Sequence, residues 1–184
     1  MMKARIGGAA LVLLLTMTAS ASERSEYVGQ EQRAIKALSE TDIADLLDGK
    51  GMGYAKAAEL NGYPGPAHVL ALEKQLHLTP TQLERTQAIF DRMQESARSL
   101  GAELVAAERE LDRLFSSGSV DEAALSKQVE TIAAIESRLR TAHLAAHLEL
   151  TALLEDHQVA RYSQLRGYDG GNPQGGNSHH QHGH

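Results

Sequence analysis

Leu78-Thr79-Pro80-Thr81-Gln82 is the stretch on which the fold turns. Thr79 suits a helix N-cap, Pro80 suits the first helical position, and Gln82 stands three residues after the cap. The Thr hydroxyl can accept from the backbone N–H of residue 82 while the Gln side chain reaches back to residue 79. Behind this start come Leu83, Thr86, Phe90, Met93, Ala97, Leu100, Leu104, Ala107, Leu111 and Leu114, at alternating steps of three and four. That spacing is a heptad seam. It predicts one helix roughly 50 Å long.

Ser116-Ser117-Gly118-Ser119 closes the first helix, and Ser119 with Glu122 offers the next capping box. A second seam runs through Leu125, Val129, Ile132, Ile135, Leu139, Ala142, Ala146, Leu150 and Leu153. Two long amphipathic helices on a short loop run antiparallel, because neither can bury its stripe alone. The expected fold is all-α: a long antiparallel helical hairpin with short flanking helices.

Upstream, Ser39-Glu40-Thr41-Asp42 starts a short helix with Ile43, Leu46 and Leu47 on one face, and Gly49-Lys50-Gly51 stops it. A turn over 54–60 ends at Asn61-Gly62-Tyr63-Pro64-Gly65-Pro66, a firm break. Pro66 then opens a helix whose buried side is Val69, Leu70, Leu72 and Leu76. Downstream, Leu154-Glu155-Asp156-His157-Gln158 marks a bend, and Val159, Tyr162, Leu165 and Tyr168 continue an apolar face. The helical domain is thus expected over 39–168, after a flexible segment at 22–38.

The ends read differently. Lys3 and Arg5 precede an apolar run from Ile6 to Thr18, and Ala19-Ser20-Ala21 comes next. This is the pattern of a cleaved secretory signal, 1–21, with an uncleaved anchor as the other reading. The run is shorter than the ~20 residues that span a bilayer. Export to the periplasm is expected, with no membrane insertion after cleavage. From Asp169 to His184 the chain is Gly, Asn, Gln and His, which cannot bury a core, so 169–184 is expected to be a disordered tail.

The chain has no cysteine, so packing alone must hold it. Its net charge is −6, with no cluster of basic residues, which argues against nucleic acid. No nucleophile elbow or phosphate loop appears, and the acidic residues fall on solvated faces, so neither an enzyme nor an organic cofactor is expected.

The histidines carry the chemistry. His143 and His147 stand four apart in the second long helix, so both imidazoles project from one side and can share a metal ion. Leu144 occupies the place where a zinc protease needs its Glu. Each histidine comes one position after a seam alanine, so the pair flanks the core, and ordinary helix-surface histidines are the other reading. His68, just past the Pro-Gly-Pro break, is a candidate third ligand. His179, His180, His182 and His184 form a low-affinity collector for borderline ions such as Zn, Ni and Cu. An affinity tag is the other reading of that tail.

Signal, LTPTQ stretch, long hairpin, fainter echo at 154–158 and His-rich tail together resemble the LTxxQ-motif family of periplasmic stress proteins. That group holds Spy- and CpxP-type chaperones and heavy-metal resistance proteins. The resemblance implies a helical protein that forms a cradle-like homodimer. It implies one of two functions: binding divalent Zn, Ni, Co or Cu in metal resistance or sensing, or ATP-independent holding of unfolded envelope proteins. A sensor protein is a further partner it suggests. The family's metal sensors carry His-x-x-x-His before the first motif and His-x-x-x-Met before the second. Here His68 has Leu72 at that spacing, and His143 with His147 precedes the second motif.

Overall fold

The computed structural model describes residues 24–168. Six α-helices succeed one another: α1 (Glu40–Leu47), α2 (Lys56–Glu59), α3 (Pro66–Ala71), α4 (Pro80–Ser116), α5 (Glu122–Leu153) and α6 (Asp156–Leu165). Among the described residues no strand forms, and no helix is long and apolar enough to cross a membrane. The expected leader, 1–21, and the His-rich stretch 169–184 lie outside the described residues.

α4 and α5 are the expected hairpin. Three contacts establish its sense. Gln128 donates to the carbonyl of Ala107, Arg138 pairs with Glu103, and Arg92 pairs with Glu149. As one helix ascends, the other descends, so the two are antiparallel. The stability comes from the buried stripe, since exposed ion pairs of this kind contribute little.

The stripe departs from the sequence reading in three places. In α4 the residue buried between Thr86 and Ala97 is Ile89, and Phe90 is only half-buried. In α5 the buried positions run Ile132, Ile135, Leu139, His143, Ala146, His147 and Leu150, so His143 sits in the seam and Ala142 beside it. Val129 faces solvent. These departures are local, since Ala97, Leu100, Leu104 and Ala107 in α4 and Ala146 and Leu150 in α5 are buried where the spacing puts them. Ile89 is covered from the open end, in one cluster with Val69 and Tyr162, and His143 is covered by Tyr54. The start of α5 also differs. Its N-cap is Asp121, whose Oδ1 accepts from Ala124 N at 2.7 Å, and Ser119 instead bonds Ser117 across the loop.

The two Leu…Gln motifs meet at the open end of the hairpin. Thr79 and Gln82 form the expected capping box, with Gln82 N donating to Thr79 Oγ1 at 3.2 Å and Thr79 N to Gln82 Oε1 at 3.0 Å. In the second copy Glu155 N donates to Gln158 Oε1 at 2.9 Å, and α6 begins there, so the expected bend is a new helix start. The two Gln amides then pair reciprocally, at 2.8 and 3.1 Å. Their remaining N–H groups reach the carbonyls of Leu153 and Leu76, at 3.3 and 3.2 Å. Every donor of this buried pair is used, which is the condition for burying amides at low cost.

The core has two parts. One lies along the middle of the hairpin, where α1 and Ile35 cover Leu100, Leu104, Ile135 and Leu139. Ile35 and the bond from Lys36 N to Asp112 Oδ1, 3.1 Å, tie the end of the 22–38 segment to α4. α1 approaches α4 at Gly101, where a Cβ would collide with the Leu46 carbonyl. The other part lies at the open end, where α3, the segment after it and α6 cover Ile89, Ala146 and Leu150 through Val69, Leu76 and Tyr162. Between the two parts, on the side of the α2 segment, the helices leave a cavity.

A histidine-lined cavity as candidate functional site

The cavity measures about 620 Å³ and opens to solvent. Its wall includes His68, His143, His147 and Glu59, with Phe90 and Met93 of α4 on the apolar side. The structure therefore brings the three histidines of the helical domain that were candidate ligands to one space. His77 and His157 stay on the surface.

α5 delivers two of them because its seam turns inward at 143–147. His143 is 3 % and His147 7 % exposed, so these are core positions, and the flanking placement expected from sequence is corrected. The His143 ring stacks on Tyr54, centroids 5.8 Å apart and planes 5° from parallel, and its Nε2 is buried without a hydrogen-bond partner. Burial, then the neighbouring His147, push its pKa down, so the ring is neutral at pH 7.

His147 is oriented from behind. Its Nδ1 lies 2.8 Å from the Tyr63 carbonyl, which can only accept. Nδ1 therefore carries a proton, and Nε2 is the nitrogen through which the ring can take a ligand. Metal-ligating histidines are commonly held this way. The Asn61–Pro66 break places the Tyr63 carbonyl, so the loop that ends α2 also sets the tautomer of a residue in α5.

Glu59 has no counterpart among the sequence candidates. Its Oε1 accepts from Tyr162 Oη at 2.7 Å, Tyr168 Oη at 2.9 Å and Arg166 Nε at 3.2 Å. Its Oε2 is buried without a partner. Burial opposes the charge, yet the bonds from Tyr162 and Tyr168, with His68 and Arg166, outweigh it and hold the carboxyl below its ordinary pKa. Burial, and then the bond to Glu59, push the Tyr162 phenol up, so it stays a donor. No periodicity marks Glu59, because α2 is a single turn and its carboxylate is placed by contacts from α6 about a hundred residues away.

Gly65 explains how Glu59 and His147 approach. A Cβ there would lie 3.0 Å from His147 Cε1 and 3.3 Å from both His147 Nε2 and Glu59 Oε2. The missing side chain leaves the carboxylate oxygen and the imidazole edge bordering the same space over bare backbone. His68 stands at the rim, half-exposed, with Nδ1 3.7 Å from Glu59 Oε1 and 3.4 Å from Tyr162 Oη. Burial, then Arg166, lower its pKa against the pull of Glu59.

Imidazoles, an ionised carboxylate with an unpartnered oxygen and a nearby thioether are the donor chemistry of a borderline divalent ion. Among the described residues, no three such side chains gather closely enough to hold an ion by themselves. The donor types fit a metal, and the geometry contributes a pair, Glu59 and His147, with His68 beside it.

A family model described as heavy-metal resistance matches residues 54–161, more than half of the chain. The chain belongs to the heavy-metal resistance family. No curated protein and no solved structure matches it. The family is related to the LTxxQ group, so the resemblance seen at 78–82 and 154–158 holds, and it is not an enzyme family. The matched span takes in Tyr54, Glu59, Gly65 and all three cavity histidines. It also takes in both glutamines of the reciprocal pair.

Proposed function

We propose that this protein is an exported envelope protein that binds divalent heavy-metal ions of borderline softness, such as Zn, Ni, Co or Cu, in the histidine-lined cavity. The observation that carries the reading is Glu59 Oε2, a buried carboxylate oxygen with no partner, set against the free Nε2 of His147 across Gly65. A buried, unsatisfied charged oxygen is expensive, and a cation beside it removes the cost. His147 and Glu59 would hold the ion and His68 would join from the rim. The ion would supply its charge to the cavity. Tyr162 and Arg166 help to keep the Glu59 carboxylate ionised, and the Tyr63 carbonyl aims the His147 ring. No catalytic role is assigned.

Isothermal titration with zinc tests this. The wild-type chain is expected to show one saturable site per chain, and His147→Ala or Glu59→Gln to weaken it at least ten-fold while the helical circular dichroism is kept. Undiminished binding in both variants would overturn the reading. Intact mass of the protein recovered from the envelope checks export, with loss of 1–21 expected.

A second reading, an ATP-independent holdase, is supported by large apolar side chains exposed on the hairpin at Phe115, Val129 and Leu148. Such a surface would bind unfolding clients or a second copy of the chain. Suppression of client aggregation at equimolar ratio, with and without zinc, is its test, and sedimentation tests the dimer.

A further inference from the structure

We infer that the cavity is a binding site for a small phenol, whose ring lies along Phe90 and Met93 and whose hydroxyl donates to Glu59 Oε2. This goes beyond the metal reading above and does not depend on it, although Glu59 serves in both. A space of about 620 Å³ is far larger than an ion needs, and it falls within the roughly 300–1,000 Å³ of small-molecule sites. Leu60, Pro66 and Phe90 offer an ion nothing, yet with Met52 and Met93 they make much of the wall apolar. Met52 and Leu60 are exposed there, and Met52 takes the left-handed backbone, φ 43°, where glycine is usual. Apolar surface left open to water on the wall of a concave space is what an apolar ligand covers.

Two polar atoms in this wall lack partners. One is Glu59 Oε2, and the other is Nε2 of His143, a residue 3 % exposed. A ligand that fits therefore joins an apolar body to a hydrogen-bond donor. Glu59 itself shows which donor suits it. Its Oε1 takes the phenol hydroxyls of Tyr162 and Tyr168, at 2.7 and 2.9 Å. A ligand phenol at Oε2 repeats that bond on the second oxygen, since an ionised carboxylate accepts on both. The body follows from the wall, because thioethers and a neighbouring ring both favour contact with an aromatic face. Beside Glu59 such a phenol stays protonated. Tyr162 is the precedent, its own hydroxyl held above the ordinary range by burial and then by the bond to that carboxylate.

The test uses the full chain in chelator and para-nitrophenol, whose phenolate absorbs visible light and whose neutral phenol does not. One saturable site per chain is expected, and binding should bleach the visible band, because the neutral form is taken. Para-nitroanisole, which has no O–H, should bind at least ten-fold more weakly. Glu59→Gln should lower nitrophenol affinity at least ten-fold and remove most of the bleaching, with little effect on nitroanisole. Leu60→Ser, at an exposed position, should weaken both ligands by a similar factor with the helical circular dichroism kept. An unchanged affinity for both ligands in Leu60→Ser would place them elsewhere and overturn the inference. No saturable binding overturns it, and so does equal affinity for nitroanisole, since the hydroxyl would then go unread. A visible band that persists on binding would mean that Lys50 and Lys56 of the same wall hold the phenolate, which also overturns it. Zinc titration without nitrophenol decides the metal reading separately. Zinc binding without nitrophenol binding leaves that reading standing while the inference falls, and the reverse outcome leaves the inference standing alone.

Discussion

Gln82 and Gln158 donate to each other's side-chain oxygens, at 2.8 and 3.1 Å, inside the protein. Each is also the residue that reaches back to its own helix start, so one side chain both begins a helix and fastens it to the other. The repeated Leu…Gln pattern is therefore a clasp between the head of the hairpin and its tail. That clasp positions α6, which carries Tyr162 and leads to Arg166 and Tyr168, the residues that hold Glu59.

Breaking the clasp on one side strands the other. Gln158→Ala removes the acceptor of one Gln82 amide N–H and leaves the Leu76 carbonyl without its side-chain donor, and a buried unsatisfied group costs about 1–3 kcal/mol. The expected loss for Gln82→Ala or Gln158→Ala is about 2–3 kcal/mol, roughly 5–10 °C in Tm. Thermal unfolding of both singles and the double checks it, and the double should cost less than their sum.

Gly101→Ala is expected to destabilise although Ala favours helices by about 1 kcal/mol over Gly. The new Cβ would lie 2.7 Å from the Leu46 carbonyl carbon, which is backbone and cannot swing aside. Overpacking of this kind costs about 1–3 kcal/mol, so α1 is pushed off α4. Hydrogen exchange should show the loss concentrated in residues 40–48.

Gly65→Ala separates site from fold. Its backbone has φ −89°, which any residue adopts, so little strain results. Its Cβ would instead press on the His147 ring and the Glu59 carboxylate. Calorimetry is expected to show zinc affinity down at least ten-fold with Tm changed by no more than a few degrees. Equal affinity would remove Glu59 and His147 as partners.

Acid should unfold the metal-free protein in two stages. His143 has a folded pKa below 6.5, so as pH falls through 6.5 the unfolded chain takes up protons first and stability drops. The loss levels off once pH is below the folded value. His68 adds to it weakly, being half-exposed. Glu59, held below 4.5, stabilises the fold above that pH and loses its contribution as pH falls further. Denaturant midpoints from pH 7.5 to 3.5 in chelator check this. His143→Gln should flatten the first stage and leave the second.

The sequence by itself determined the all-α hairpin, its antiparallel sense, the capped start at Thr79 and the short helices at 40 and 66. These come from local rules: caps, breakers and a 3–4 spacing act within a few residues. Tertiary structure alone decided that Ile89 and His143 are buried where Phe90 and Ala142 were expected, because the residues that cover them, Val69 and Tyr162 at one and Tyr54 at the other, come from distant parts of the chain. It alone decided that Glu59 belongs to the site, since its placement depends on Tyr162, Arg166 and Tyr168, three residues in sequence register only with α6. It also decided that the motif opened by Leu78 is half of a pair, because the bond between Gln82 and Gln158 exists only once the two ends of the hairpin are side by side.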